Sequence, residues 1–197
     1  MGQGLVHQQT TAEPGMPAAN RLLVASRWPL RRVGLRDSPE TGRWLMVRVA
    51  ADRPFSLGTM HVPNRVSGQK YLFLAALLRL ARRWRGGPAL LIGDTNSGRI
   101  GLDEEVSVFG KREDAWMTSV EDVGWSDAFR HTHGEERAYT WYSPNGRNGF
   151  RLDEAFVHRL LMPQLLDAGH EWAVPVGGAT RRDAVSDHAA LIVDLRQ

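Results

Sequence analysis

Ala89-Leu90-Leu91-Ile92-Gly93-Asp94-Thr95-Asn96 decides how this chain is read. An unbroken apolar run entered from Gly86-Gly87-Pro88 describes a fully buried strand, and it stops on a carboxylate and an amide. The pattern recurs downstream. Arg151-Leu152-Asp153 and Ser186-Asp187-His188 each set a carboxylate at the end of a strand-like apolar run, and the last adds a histidine. A packed domain has no structural need for a carboxylate at the polar end of every such strand. Brought together, they build an acidic pocket suited to a hard divalent cation and a phosphate ester.

Outward from that segment, residues 69–85 switch to helical period. Tyr71, Leu74, Ala75, Leu78 and Arg82 share one stripe, Leu77, Leu80, Ala81 and Trp84 widen it, and Gly86-Gly87-Pro88 ends it. Further upstream, residues 43–49 alternate with Leu45, Val47 and Val49 on one face. A turn at Ala51-Asp52-Arg53-Pro54 joins them to a second strand over 55–60, predicting a hairpin. Leu22-Leu23-Val24-Ala25 reads as a short strand, and Ser26-Arg27-Trp28-Pro29-Leu30 as a turn. Downstream, a helix is expected over 116–123. A second hairpin runs from Thr140-Trp141-Tyr142 through a glycine- and asparagine-containing turn to 150–157, and 189–195 closes the domain. Residues 1–20 are rich in Gln, Thr, Pro and Gly without a period and read as an irregular tail, leaving a domain over 21–197. Strands mixed with outer helices predict an α/β layered sandwich with its site at one end.

Composition narrows the chemistry. The chain has 197 residues, enough for one domain with a real core, and its 42% hydrophobic content excludes whole-chain disorder. Cysteine is absent, so disulfides and thiolate metal sites are excluded, and any metal must sit on carboxylate, amide or imidazole groups. No apolar run reaches the roughly 18 residues of a membrane span, and the default expectation is a cytoplasmic protein without membrane contact. Basic residues are nearly all arginine and they cluster, at Arg31-Arg32, Arg79, Arg82-Arg83, Arg85 and Arg181-Arg182. Such clusters suit phosphate neutralisation and equally suit a solvated surface.

Five segments occur in order: Thr59-Met60-His61-Val62-Pro63-Asn64, Leu90-Leu91-Ile92-Gly93-Asp94-Thr95-Asn96, Tyr139-Thr140-Trp141-Tyr142, Gly149-Phe150-Arg151-Leu152-Asp153 and Ser186-Asp187-His188. The series resembles the endonuclease/exonuclease/phosphatase family, which includes exonuclease III, AP endonucleases and deoxyribonuclease I. The resemblance implies a four-layer α/β sandwich hydrolysing phosphodiesters with Mg²⁺ or Mn²⁺, with DNA as the expected partner. Carried over residue by residue, it implies that Asp94 holds or deprotonates the attacking water and that Asn96 orients it. It makes Asp187 a metal ligand with Asp94 beside it, and His188 a hydrogen-bond donor to the phosphate with Asp153 as its carboxylate partner. His61 is a further phosphate contact or a strand-end histidine packed beside Pro63. Asn64 resembles a substrate-binding residue near the scissile phosphate, and Trp141, Phe150 and Arg151 either line the substrate rim, where an aromatic stacks on a base or an abasic sugar, or pack as core. His131 and His133, two apart, read as a solvated loop more readily than as a metal pair.

One departure stands out. Family members open with a strand ending in asparagine and a second strand ending in a metal-binding glutamate. Before Leu22 the only acid here is Glu13, which lies too close to Ser26-Arg27-Trp28-Pro29 for that place. The expectation is an N-terminally incomplete sandwich, through a late start or truncation, with unpaired sheet edges open to association. Three readings follow: a nucleic-acid phosphodiesterase, a phosphatase or phosphodiesterase on another phosphoester, and a truncated, inactive member.

Overall fold

A computed structural model describes residues 4–13, 15, 21–36, 38–40, 42–145, 147–172 and 186–196. Its strands are β1 (His7–Thr10), β2 (Leu23–Ser26), β3 (Leu30–Arg32), β4 (Trp44–Val49), β5 (Phe55–His61) and β6 (Ala89–Asp94) in the first half. The second half adds β7 (Trp125–Asp127), β8 (Trp141–Tyr142), β9 (Gly149–Phe150), β10 (Asp153–His158), β11 (Leu165–Glu171) and β12 (Ala190–Leu195). Helix α1 (Lys70–Arg83) bridges β5 and β6, α2 (Lys111–Asp122) precedes β7, and α3 (Ala128–His133) follows it. Arg181 and Arg182 lie outside the described residues.

A six-stranded sheet in the order β3-β4-β5-β6-β10-β7 forms the centre. Its pairings are antiparallel except β5 with β6, which run parallel because α1 carries the chain back across the sheet. One face packs on α1 and α2: Met46, Met60 and Leu91 from the sheet meet Phe73, Leu77 and Met117 from the helices. The other face is covered by two separate ribbons. β1-β2 brings Val24 onto Leu45 and Val47, while β11-β12 brings Ala168, Leu191 and Val193 onto Leu90, Ala155 and Val157. Helices, a central sheet and a second β layer make the α/β sandwich expected from the sequence. No helix among the described residues is long and apolar enough to cross a membrane.

Several local readings are corrected. His7–Thr10, read as irregular tail, is a strand pairing with β2, and Thr11 holds its end by donating to the Gly42 carbonyl at 2.9 Å and accepting from the Leu22 amide at 2.8 Å. Helix α2 starts five residues before Trp116, because its first turn carries Glu113 and Asp114, polar to a hydrophobic period but favourable to the helix dipole. The strand expected over 150–157 breaks at Arg151-Leu152. His131 and His133 belong to α3 and not to a loop; its N-cap Asp127 accepts from the Arg130 amide at 3.1 Å.

Candidate active site

Three strand ends converge at one edge of the central sheet. Because β5 and β6 are parallel, their C-terminal residues His61 and Asp94 stand side by side in register. The antiparallel β10 begins there, so Asp153 stands opposite Asp94 on its other side. Gly93 makes the approach possible: its φ is 142°, and a Cβ there would lie 2.0 Å from the Met60 carbonyl oxygen. Only glycine fits that backbone.

Asp94 is locked from below. Its Oδ1 accepts from the Asn96 amide at 2.7 Å and its Oδ2 from Asn96 Nδ2 at 2.9 Å. Asn96 has φ 46°, a left-handed conformation that asparagine tolerates, and its Nδ2 also donates to the Val62 carbonyl at 2.9 Å. The Asn96 carbonyl in turn accepts from Lys70 Nζ at 2.5 Å, and that ammonium donates to Glu113 Oε1 at 3.0 Å. His61 Nε2 lies 3.6 Å from Asp94 Oδ2.

The second half of the site arrives ahead of β12. His188 Nδ1 is 2.7 Å from Asp153 Oδ2. Asp153 is itself positioned, its amide donating to Thr140 Oγ1 at 3.2 Å and its carbonyl paired with His170 Nε2 at 3.1 Å. Asp187 is exposed, and its Oδ2 accepts from Trp141 Nε1 at 3.1 Å.

Burial, and then the neighbouring Asp153 charge, push the Asp94 carboxyl up to about 7. Burial also lowers the His61 imidazole, helped by the Arg43 and His188 charges. Burial would lower His188 too, but the hydrogen bond and charge of Asp153 outweigh it and hold His188 above its ordinary value. Two histidines within one site are thereby driven apart, His61 toward neutrality and His188 toward the cation.

Beside Asn96 opens a pocket of about 170 Å³, lined by Lys70, Phe109, Trp141, Phe150 and Leu152. Trp141 and Phe150 line this pocket, and Phe150 is mostly buried. Asn64 is exposed, and its Oδ1 accepts from the Ser67 amide at 3.3 Å as the cap of a short 3₁₀ turn.

Arg151 does not reach the rim, and its reading as a substrate contact is corrected. Its side chain is fully buried. Nε donates to Asp103 Oδ1 at 2.8 Å, Nη2 to Asp127 Oδ2 at 2.6 Å, and Nη2 lies 3.2 Å from Glu154 Oε1. Arg130 also contacts Asp103. Burial, against the opposing pull of Arg151, raises Glu154 above its ordinary value, and it joins two aspartates and two arginines in one buried cluster. The network pins β10, on which Asp153 rides. The sequence hid it, because its members stand 24 and 48 residues apart. Lys70, Thr140 and His170 were also missed: none of the motifs marks the first or last, and only the Tyr139-Thr140-Trp141-Tyr142 segment pointed to the second.

Among the described residues, no three His, Asp or Glu side chains converge closely enough to cage a metal ion. The donors present are hard carboxylate oxygens. They suit Mg²⁺, which typically takes one or two carboxylates and completes its shell with water and phosphate oxygens.

No protein-family model and no curated protein sequence matches the chain. Solved structures do. A 3′–5′ exonuclease, NExo, from Neisseria meningitidis is similar at a TM-score of 0.75 and 21% identity, over 96% of this chain and 80% of that one. A Neisseria NExo variant described as a 3′ phosphatase bound to a product DNA hairpin gives 0.74 and 22% identity, over 96% and 80% of the two chains. An AP endonuclease from Archaeoglobus fulgidus gives 0.71 and 18% identity, over 89% and 74%. At these identities the likeness is one of fold.

Proposed function

We propose that this chain is a Mg²⁺- or Mn²⁺-dependent phosphoester hydrolase acting on DNA. The observation that carries the reading is the register of β5, β6 and β10, which sets His61 and Asp153 on either side of Asp94, with His188 held on Asp153. The fold shared with nucleases supports the same direction.

In hydrolysis, water oxygen bonds to phosphorus, the bond from phosphorus to the ester oxygen breaks, and the leaving oxygen takes its proton from solvent. Asp94, held by both donors of Asn96, orients the water and accepts its proton, help worth about 10²–10⁴-fold. His188, kept charged by Asp153, donates from Nε2 to a phosphate oxygen as negative charge builds there. His61, held toward neutrality, supplies a second hydrogen bond to the phosphate. Asp94 and Asp187 would hold the cation, which supplies charge neutralisation on the phosphate. Trp141, Phe150 and Leu152 form a small apolar pocket that suits a deoxyribose lacking its base, favouring abasic or 3′-terminal sites over intact nucleotides.

Purified protein is given labelled duplexes carrying an abasic site or a 3′-phosphate, with Mg²⁺, Mn²⁺ or EDTA and with Asp94→Asn as control. Metal-dependent cleavage abolished in the variant is the expected result. Hydrolysis of a non-nucleic-acid phosphoester instead would transfer the site to another substrate. A folded protein inert on every phosphoester would overturn the reading in favour of an inactive member.

A further inference from the structure

The arginine clusters that the candidate site leaves unused meet elsewhere in the fold. Arg31, Arg36, Arg48, Arg79, Arg83 and Arg85 surround a cavity of about 420 Å³. Leu35, Leu80 and Trp84 give it an apolar floor, and no Asp or Glu is among its described lining residues. The cavity lies at the far end of the sheet from Asp94. Arg48 stands in register with Ser56, five residues before His61 on β5, which places the two sites roughly 17 Å apart along the strand. Helix α1 gives a similar span, with Lys70 under the candidate site and Arg83 at the cavity, about 20 Å along its axis.

Two features make this more than an arginine-rich surface. Arg31 and Arg48 are directly opposed across β3 and β4, a like-charge pairing that weakens a sheet. The dipole at the C-terminal end of α1 favours Arg83, but no described carboxylate is ion-paired with Arg31, Arg36, Arg48, Arg79 or Arg85. The wall is also rigid. Trp84 Nε1 donates to the Gly87 carbonyl at 2.8 Å, and Gly86 lies against the indole so closely that a Cβ would come within 2.4 Å of the ring. Arg85 Nη1 donates to the Trp84 carbonyl at 2.8 Å, and Arg48 Nη1 to Ser56 Oγ at 3.4 Å. A preformed cavity with converging cations over an apolar floor is built for a small ligand with a matching division.

We propose that this cavity binds a nucleoside phosphate, its phosphates on Arg31, Arg48 and Arg79 and its base over Leu35, Leu80 and Trp84. The volume falls in the ordinary range of small-molecule sites, and a concave basin fits a mononucleotide better than the convex ridge of a duplex backbone. The ligand is a regulator or sensor input, since it sits far from the reacting groups.

The test is calorimetric titration of ADP into the full chain in EDTA, which keeps metal-dependent binding at the candidate active site out of the signal. Saturable binding is expected, weakened at least ~10-fold in Arg31→Gln/Arg79→Gln, where charge-assisted phosphate contacts are lost. Both heads are exposed, so the variant folds, and a melt checks it. Arg32→Gln/Arg82→Gln removes the same charge outside the cavity and should leave affinity within about twofold. Asp94→Asn should also bind ADP normally. Absence of ADP binding overturns the proposal, as does equal weakening by the two double variants. Cavity-dependent binding of a single-stranded oligonucleotide without ADP binding would make the basin a strand track and overturn it too.

Discussion

Arg151→Met separates a structural arginine from a substrate-binding one. Methionine keeps the apolar stem but deletes a guanidinium that serves Asp103 and Asp127 and touches Glu154, all without solvent contact. Removing one partner of a buried ion pair leaves an uncompensated charge and costs about 3–5 kcal/mol. Two aspartates share this cation, and Arg130 remains for only one of them, so the upper part of that range applies. At this chain length each kcal/mol moves Tm by about 2–4 °C, giving a fall of roughly 10 °C or more. Urea titration followed by circular dichroism measures the loss, and fluorescence anisotropy with a labelled duplex measures binding of the protein that stays folded. A second variant sharpens the test: adding Asp127→Asn should recover part of the loss, because it removes the charge left behind. A loss below about 1 kcal/mol, within the range of ordinary surface substitutions, together with weakened DNA binding would refute the argument and return Arg151 to the rim.

Further outcomes follow from the same geometry. Gly93→Ala forces a Cβ onto the Met60 carbonyl at a φ of 142°, and a destabilisation of roughly 3 kcal/mol or more is expected; a melt within about 2 °C of the parent would show that β5 and β6 can separate at little cost. Asp94 has a folded-state value of about 7 against an ordinary 3.8, so the folded state holds the extra proton and stability contributed at Asp94 declines as pH rises through that interval. Asp94→Asn should therefore be more stable than the parent at pH 8 and lose that advantage toward pH 4, as denaturant titrations at the two pH values will test; an advantage that grows on acidification has the wrong sign.

What could be read from the sequence was what one local run declares. β4, β5, β6 and α1 carry strong periods of their own, and the strand ends at Asp94, Asp153 and His188 were visible because polar residues interrupt apolar runs. β1 and β11 were not visible. His7–Thr10 has no apolar alternation and is a strand only because Leu23–Ser26 lies beside it, while Leu165–Glu171 mixes acids, glycine and histidine and is ordered through β12. Arg151 looked like a rim residue because it sits between Phe150 and Asp153. Its burial depends on partners that only the closed sheet supplies. The hold of Lys70 on the Asn96 carbonyl is likewise a tertiary event with no motif to announce it.

The division of the second β layer into two ribbons has a consequence for how the molecule fails under heat. β11-β12 is tied to the central sheet by side-chain packing and by the contact of His170 with the Asp153 carbonyl, with no described backbone ladder joining it to that sheet or to β1-β2. Such a piece is a candidate unit of partial opening, free to lift while the six-stranded sheet stays closed. His188 stands two residues before β12 and takes its place from it, so lifting the ribbon withdraws the imidazole from Asp153 while Asp94 and Asn96 stay seated. The proposed phosphoester cleavage should then fade at temperatures where the far-ultraviolet spectrum is still native. Amide exchange in β12 should outpace that in β6, and the part of the molecule that melts first is the part that holds His188 against Asp153.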